Sequence, residues 1–431
     1  MKVSIKNVKY LVFEGGGGKG LIYLSALQAL EQLAILSYKT EDVNGRKVTR
    51  LDHTKIFGVA GTSVGALTAL LVAAGFTTVE IHDILTSDLD DKILDTVEFG
   101  RIPTVQTVEN PRYIISDRPI DKDRMLFDKY WENFKHSDKK TLRDLVKLPI
   151  KALTEFNMGF FSGLIKWYLD YESRKIVKKE HKHEIRGVIQ DIAKTKTTKT
   201  ALDMVLENSA ESMNSLKYDF GLFLSESLRD AADGFIEYKS GIKNCTFEQF
   251  YNTFKIDLVI TAYDITTNEV RYFRNNEMWK NLCVADALRM SVSIPMVFKP
   301  VVMKIEGDKI VTVTDNISSA NYMVDGGLGN NFPVHVFDKE GSDELNPNVL
   351  GFRLISTRPF VEGETTFFGY LENIFLSLLK LTSESQLKRE SERDQTIDLN
   401  TDGINFLDFT FENISEKTLT VARKLTFAYF E

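Results

Sequence analysis

The chain has 431 residues, of which 43% are hydrophobic and 27% charged, a composition typical of a soluble globular protein with one large or two ordinary domains. Its formal net charge of −7 argues against a general nucleic-acid-binding protein, which would carry a basic surface. The two cysteines, Cys245 and Cys283, indicate a reducing compartment and offer no metal-site spacing.

Two strand–turn–helix units open the chain. Residues 8–13 form an apolar run rich in β-formers, and leucines recur at near-helical steps after the glycine-rich turn that follows. Residues 55–61 have the pattern of a second buried strand, and residues 66–75 that of a small-residue helix closed by a glycine. This order predicts an α/β fold with a mainly parallel central sheet flanked by helices.

The rest of the chain alternates between a polar stretch and a second group of strands. Residues from about 77 to 245 are polar and helix-leaning without a convincing strand, which predicts a helical insertion that could serve as a lid. An amphipathic run near 367–388 and a candidate helix at 415–430 predict a helical C-terminal tail at about 360–431. We therefore expect a single α/β domain over residues 1–431. The predicted strands of the second group are 256–264, 270–273, 296–305, 310–315, 321–327 and 349–355.

The glycine-rich turn "EGGGGKG" is a candidate site for something negatively charged. A Walker-type phosphate loop is excluded, because Phe13 and Gly20 stand where a glycine and a hydroxyl residue are required. Gly15, Gly17 and Gly20 fit the dinucleotide pattern G-x-G-x-x-G. That pattern requires an acidic residue at the end of the next strand, which ends instead in "AGTSVGA". A nucleotide-binding protein therefore stays as the weaker alternative.

The second turn, "GTSVG", fits the nucleophile elbow G-x-S-x-G with Ser63 as the nucleophile. The elbow strains the serine, so its neighbours Gly61 and Gly65 must be small. The glycine run would supply the oxyanion hole through the backbone N–H groups of Gly16, Gly17 and Gly18, and Val64 N–H could add to them. We therefore expect the negative group to be a transient alkoxide.

A serine nucleophile needs a base. His335 comes late in the chain, as the base of such an enzyme should, but "FPVHVF" has the pattern of a packed segment. Asp325 ends a predicted strand and precedes Gly326 and Gly327, which would expose its carboxylate at the sheet edge that carries the elbow. Asp325 is the better candidate, since a short hydrogen bond in a dry pocket lets a carboxylate accept the serine proton. The other histidines have the patterns of surface residues: His53, His82, His136, His181 and His183.

Taken together, "EGGGGKG", "GTSVG", "ADALRMSVSIPMVFKPV" (285–301) and "DGGLGNNFPV" (325–334) resemble the motifs of the patatin-like phospholipases, in the same order. The resemblance implies a three-layer patatin-like fold and an acyl hydrolase with a Ser–Asp dyad, without catalytic histidine, metal or cofactor. It assigns Ser63 as the nucleophile, Asp325 as the general base and Gly15–Gly18 as the oxyanion hole. The remaining motif positions are Lys19, Gly20, Gly61, Gly65, Pro295, Gly326 and Gly327.

The function implied is cleavage of fatty-acyl esters, of phospholipase A or lysophospholipase type, on a phospholipid or lysophospholipid at a membrane surface. A soluble carboxylesterase or acyltransferase with the same dyad is the alternative. Many bacterial relatives that this chain resembles act as delivered effectors or defence enzymes switched on by a cofactor. The long insertion would be a natural place for a protein or small-molecule activator to act.

A membrane would be met from the water side, because the first residues lack the apolar segment of a signal peptide and no window approaches eighteen apolar residues. We expect a cytoplasmic protein that can associate peripherally with a membrane. Phe160, Phe161 and Trp167 lie in an aromatic-rich segment, and residues 174–199 hold nine basic against three acidic residues. This pairing is typical of an interfacial helix on anionic lipid, although a core-packed helix followed by a solvated one has the same pattern.

Overall fold

The structure is a computed structural model. The residues it describes are 2–86, 100–105, 113–115, 214–307, 309–311, 313, 320–339, 341, 344–356, 367–387, 390–402, 404 and 414–431.

The strands of the described residues are numbered in chain order. They are β1 (Tyr10–Phe13), β2 (Tyr38–Val43), β3 (Arg46–Leu51), β4 (Gly58–Thr62), β5 (Arg101–Pro103), β6 (Tyr113–Ile115), β7 (Gly221–Phe223), β8 (Asp257–Asp264), β9 (Glu269–Phe273), β10 (Met296–Phe298), β11 (Val301–Glu306), β12 (Lys309–Val311), β13 (Asn321–Asp325), β14 (Val349–Ile355) and β15 (Thr396–Asn400).

The α-helices of the same residues are α1 (Tyr23–Gln32), α2 (Val64–Ala73), α3 (Thr78–Thr86), α4 (Glu226–Ser240), α5 (Phe247–Phe254), α6 (Val284–Ser291), α7 (Phe367–Glu384), α8 (Glu390–Asp394) and α9 (Glu416–Phe430). A 3₁₀ turn over Gly17–Ile22 leads into α1, and a second one over Gly326–Leu328 follows β13.

A nine-stranded sheet forms the centre of the molecule. Its order is β12-β11-β13-β8-β4-β1-β14-β15, and β9 pairs with β8 in addition. The strands β8, β4, β1, β14 and β15 run parallel to one another, whereas β9 and β13 pair antiparallel with β8, and β11 and β12 continue the sheet in antiparallel pairs beyond β13. This confirms the predicted α/β fold with its mainly parallel central sheet.

Both faces of the sheet are covered. Leu11 and Phe13 of β1 belong to the main core with α1 and α2, while Val12 between them packs with Phe332 on the opposite face. Strands that are buried on both faces are expected to be continuously apolar, and β1 has this pattern.

Strand β8 aligns two loops that are far apart in the sequence. Thr62, at the end of β4, pairs with Thr261, and Asp325, at the end of β13, pairs with the next residue, Ala262. Strand β9 occupies the other edge of β8 along both stretches. β4 and β13 therefore pair with the same edge of β8, one after the other. The end of β13 follows directly where β4 ends at Thr62.

Several strands lie outside those that the sequence predicts. In the hairpin β2–β3, β2 is largely exposed, and β5, β6 and β7 have three residues each, which is too short for a sequence pattern to identify them. β15, within the predicted helical tail, joins the central sheet beside β14. Its burial alternates, which is the pattern of a half-covered edge strand.

Candidate active site

Ser63 stands in a sharp turn between β4 and α2. Its backbone has φ +53° and ψ −126°, a conformation that non-glycine residues rarely adopt. Its N–H donates to Ser291 Oγ at 2.9 Å, and only 7% of the residue is exposed. Such strain is retained where the surroundings hold the residue in place, as at a nucleophile elbow.

Close backbone packing explains the glycines on either side of Ser63. A Cβ atom on Gly61 would collide with the backbone of Gly65. A Cβ atom on Gly65 would lie 2.6 Å from Glu14 O and even closer to Phe13 O. The start of α2 therefore touches the end of β1, which brings the serine beside the glycine run.

The glycine run offers free donors next to the serine. Gly15 N–H donates to Asn331 O at 3.0 Å and is already used. Within the described part of the chain, the N–H groups of Gly16, Gly17, Gly18 and Val64 donate to no protein acceptor. Donors that are oriented before the reaction and need no rearrangement are what an oxyanion hole requires.

Asp325, at the end of β13, is held by hydrogen bonds of its backbone N–H and of its carboxylate. Its N–H donates to Ser293 O at 2.9 Å, and its Oδ1 accepts the N–H of Gly327 at 2.8 Å. A Cβ atom on Gly326 would collide with Thr261 O, so the turn after the aspartate can form only with a glycine at this position. The residue is 2% exposed.

The Ser63 hydroxyl lies beside the Asp325 carboxyl group. Burial raises the pKa of Asp325 from 3.8 to about 7, although the hydrogen bond from Gly327 N–H and the nearby Ser63 hydroxyl lower it in part. A carboxyl group with a pKa near 7 can accept and return a proton at neutral pH. The arrangement is therefore suited to activating a hydroxyl nucleophile.

The "SVSIP" segment contacts both members of this pair, which the sequence analysis did not foresee in detail. Ser291 Oγ accepts Ser63 N–H, and Ser293 O accepts Asp325 N–H. Pro295, two residues further on, ends this stretch before β10. The alternating serines were the available signal, but a small polar pair beside a predicted loop has many other uses.

Three further residues hold the glycine run, and the sequence analysis missed all of them. Asn331 Nδ2 donates to Gly15 O and to Ser383 Oγ, both at 3.0 Å. Glu14 lies at the start of the run, and burial raises its pKa to about 7, offset in part by hydrogen bonds from Ser383 and Leu354 N–H. Glu14 and Asn331 lie within the quoted motifs, but their partners are 52 to 340 residues away in the chain, so the motifs do not reveal these contacts.

Some of the other candidate residues lie among the described residues, and the rest do not. His335 contacts Asp338 Oδ2 at 2.9 Å and Gln386 O at 2.8 Å through its two ring nitrogens, an arrangement that suits a structural role. Lys19 lies in the 3₁₀ turn, and a Cβ atom on Gly20 would collide with the side chain of Val64. The membrane-contact residues and part of the histidines lie outside the described residues: Phe160, Phe161, Trp167, His136, His181 and His183.

Among the described helices, none combines the length and the apolar character needed to cross a membrane. The residues that the structure describes contain no cluster of three or more metal-binding side chains.

Comparison with known proteins places these features in a family. Part of the chain is 26% identical to an uncharacterised protein of Acanthamoeba polyphaga mimivirus over 207 residues, 47% of this chain and 62% of that protein. Among solved structures, VipD from Legionella pneumophila has a TM-score of 0.40 and 18% identity, covering 98% of this chain and 67% of VipD. The complex of ExoU with SpcU, from the type III secretion system of Pseudomonas aeruginosa, has a TM-score of 0.33 and 15% identity. The match covers 99% of this chain and 51% of that chain. The model of the patatin-like phospholipases matches residues 11–338, which include all four motifs, and the chain therefore belongs to this family.

Proposed function

We propose that the protein is a lipid acyl hydrolase of phospholipase A or lysophospholipase type, with Ser63 as the nucleophile and Asp325 as the base. The observation that carries this proposal is that the Ser63 hydroxyl, held in a strained turn, and the Asp325 carboxyl group lie side by side in a buried site next to unpaired backbone donors. Membership of the patatin-like phospholipase family supports lipid esters as the substrate class.

The first half-reaction would form an acyl-enzyme. Asp325 takes the proton of Ser63 while Oγ attacks the ester carbonyl carbon, and the N–H groups of Gly16–Gly18 stabilise the alkoxide. When the alkoxide collapses, the bond to the alcohol oxygen breaks and Asp325 returns the proton to that oxygen. Removal of a single oxyanion-hole donor costs about 2.7–4 kcal/mol of transition-state stabilisation in a hydrolase where this has been measured.

The second half-reaction would release the fatty acid. Water attacks the acyl-enzyme carbonyl and gives one proton to Asp325. The bond between the carbonyl carbon and Ser63 Oγ then breaks, and the serine recovers its proton from Asp325. Because both halves use the same carboxyl group, its raised pKa serves each of them.

The test is product analysis by mass spectrometry on defined phospholipids and lysophospholipids, with wild type beside Ser63→Ala and Asp325→Asn. The expected result is release of free fatty acid by the wild type and none above background by either variant. A fluorophosphonate probe should label the wild type at Ser63. Substantial hydrolysis by Ser63→Ala would refute the assignment.

A soluble carboxylesterase or acyltransferase with the same dyad is the second candidate. It is favoured by the closed site, since Ser63 is 7% and Asp325 2% exposed and a short ester is more easily admitted. A panel of esters of increasing acyl length separates the two functions. The lipid hydrolase should prefer long chains presented in vesicles, whereas the esterase should lose rate as the chain lengthens. A nucleotide-binding protein would instead retain nucleotide and leave the probe unreacted.

Action at a membrane surface is part of the same proposal. It rests on the aromatic segment with Phe160, Phe161 and Trp167 and on the basic segment 174–199 after it. In liposome flotation, the protein should float with vesicles that contain anionic lipid, and added salt should weaken this binding. Failure to float at any ionic strength would contradict the membrane contact while leaving the hydrolase assignment to its own test.

A further inference from the structure

The carboxamide of Asn331 has one orientation fixed by its surroundings. Its Nδ2 faces the acceptors Gly15 O and Ser383 Oγ, both at 3.0 Å, and Glu14 Oε1 at 3.4 Å. Since Gly15 O can only accept, the nitrogen must point that way and the oxygen must point to the other side. The backbone carbonyl of Asn331 also accepts Gly15 N–H, so both polar groups of Gly15 are held by this one residue.

The other end of the carboxamide, Oδ1, faces the reacting groups. The position that a Cβ atom would take on Gly327 lies 2.8 Å from Asn331 Oδ1 and 3.0 Å from Asp325 Oδ1. The corresponding position on Gly15 lies against Asn331 Oδ1 and 3.3 Å from Ser63 Cβ. Asn331 Oδ1 therefore shares the small space between the two glycines with the nucleophile and the base.

Within the described residues, this oxygen is buried and receives no hydrogen bond. A buried acceptor without a donor costs free energy, so a native protein keeps one only where another demand outweighs that cost. In a closed reaction centre, the missing donor is a molecule that takes part in the reaction.

We propose that Asn331 Oδ1 binds the water that hydrolyses the acyl-enzyme, an inference that rests on the proposed function. The water gives one proton to the Asp325 carboxylate and donates its second O–H to Asn331 Oδ1, which aims its lone pair at the carbonyl carbon. The new C–O bond forms, the bond to Ser63 Oγ breaks, and Asp325 returns its proton to Ser63. Asn331 is thus a further catalytic residue, specific to the second half-reaction.

The closed state of the site agrees with this role. Ser63, Asp325 and Asn331 are 7%, 2% and 3% exposed, so a water bound among them would be held away from bulk solvent. During acylation the alcohol portion of the substrate occupies the attacking side, and the water site becomes available after the alcohol departs.

The experiment separates the two half-reactions in Asn331→Leu, which keeps the volume and removes the acceptor. With a water-soluble ester, kcat/KM reports acylation and kcat reports a slow deacylation. Loss of the amide donor to Gly15 O lowers kcat/KM in this variant as it does in Asn331→Asp. Beyond that, we expect kcat and KM to fall together by a further tenfold or so, the range for loss of one such hydrogen bond. Intact-protein mass spectrometry should show an acyl adduct on Ser63 that the wild type does not accumulate. Asn331→Val takes the place of this variant if Asn331→Leu does not fold.

Two control variants isolate Oδ1 from the rest of the residue. Asn331→Asp keeps an acceptor and loses the amide donor that holds Gly15, so any loss should fall on kcat/KM without adduct. Asn330→Ala changes the neighbouring asparagine, which is equally buried and whose Oδ1 already accepts Phe332 N–H at 3.1 Å, and should give no adduct either.

Equal falls in kcat and kcat/KM without an adduct in Asn331→Leu would overturn the water site, as would the same adduct in either control. If instead the wild type neither hydrolyses esters nor reacts with the fluorophosphonate, the proposed function itself fails.

Discussion

Asp325 is a carboxyl group in an environment that disfavours its charge. Burial removes the water that would stabilise the carboxylate, which keeps the hydrogen bond from Gly327 N–H and has the Ser63 hydroxyl beside it. A fully solvated aspartate would be a far weaker base, whereas a buried carboxyl group without these two donors would stay protonated at neutral pH. The two influences together hold the pKa in the range in which the group can work as a base.

The first prediction concerns the pH dependence of hydrolysis. Asp325 must be deprotonated to accept the Ser63 proton, so kcat/KM should fall about tenfold per pH unit below a midpoint near pH 7. Burial raises the pKa of Glu14 to about 7 as well, and Glu14→Gln is therefore the control. The acidic limb should persist in Glu14→Gln. If kcat/KM of Glu14→Gln no longer falls below pH 7, the titrating group is Glu14 and not Asp325.

The second prediction concerns stability. Because the pKa of Asp325 is raised in the folded protein, the folded state binds more protons than the unfolded state between about pH 4 and pH 7, and the free energy of unfolding falls as the pH rises through that window. Asp325→Asn has no carboxyl group at this position, so its free energy of unfolding does not fall in this way as the pH rises. Its thermal midpoint at pH 8 should exceed that of the wild type, and the difference should vanish near pH 4. Ser63→Ala, which is also inactive but keeps the carboxyl group, should show no such gain.

At the scale of elements, the backbones of β1, β4 and the start of α2 lie so close together that only glycine fits at their contacts, Gly61 and Gly65. The contact of Gly65 with the carbonyls of Phe13 and Glu14 sets this distance, and with it the position of Ser63 beside the glycine run. The active-site geometry thus follows from backbone packing in the strand–turn–helix unit.

The third prediction compares two glycine-to-alanine changes. Gly65→Ala should lower the free energy of unfolding by about 1–3 kcal/mol or more, since backbone must move, and should abolish hydrolysis. Gly234 lies in α4 with no atom within 4 Å of its Cβ position, so Gly234→Ala should raise the free energy by about 0.5–1 kcal/mol through helix propensity alone. Chemical denaturation measures both. Equal stability of the two variants would contradict the packing argument.

These elements also show what sequence can predict. The buried strands β1 and β4 and the helices after them carry apolar runs and glycines, so their pattern alone identifies them. β15 is short and half-covered, and it forms a strand because it pairs with the free edge of β14, which no local sequence pattern indicates. In the same way, the motifs locate Ser63 and Asp325, but Asn331 acquires its position through Gly15 and Ser383, a contact that only the folded chain creates.

At the scale of the whole molecule, a buried ion pair connects distant segments. Lys299 Nζ donates to Asp219 Oδ2 at 2.9 Å and to Arg101 O at 2.8 Å, and Gly100 N–H donates to the same carboxylate oxygen at 2.9 Å. Both charged side chains are fully buried. Residues 100, 101 and 219 belong to the predicted insertion, whereas Lys299 follows the "SVSIP" segment that contacts Ser63 and Asp325. The pair thus connects residues 100, 101 and 219 to the segment beside Ser63 and Asp325.

The last prediction follows from the energetics of such a pair. Lys299→Met takes the charge of Lys299 away from the buried carboxylate of Asp219 and should lower the free energy of unfolding by about 3–5 kcal/mol. Lys299→Met with Asp219→Asn removes both charges while keeping an acceptor for Gly100 N–H, and should recover much of the loss. Lys280→Met, which breaks the exposed pair with Glu277, should leave the thermal midpoint unchanged. If the double variant is no more stable than Lys299→Met, the loss comes from packing of the lysine stem and not from the ion pair.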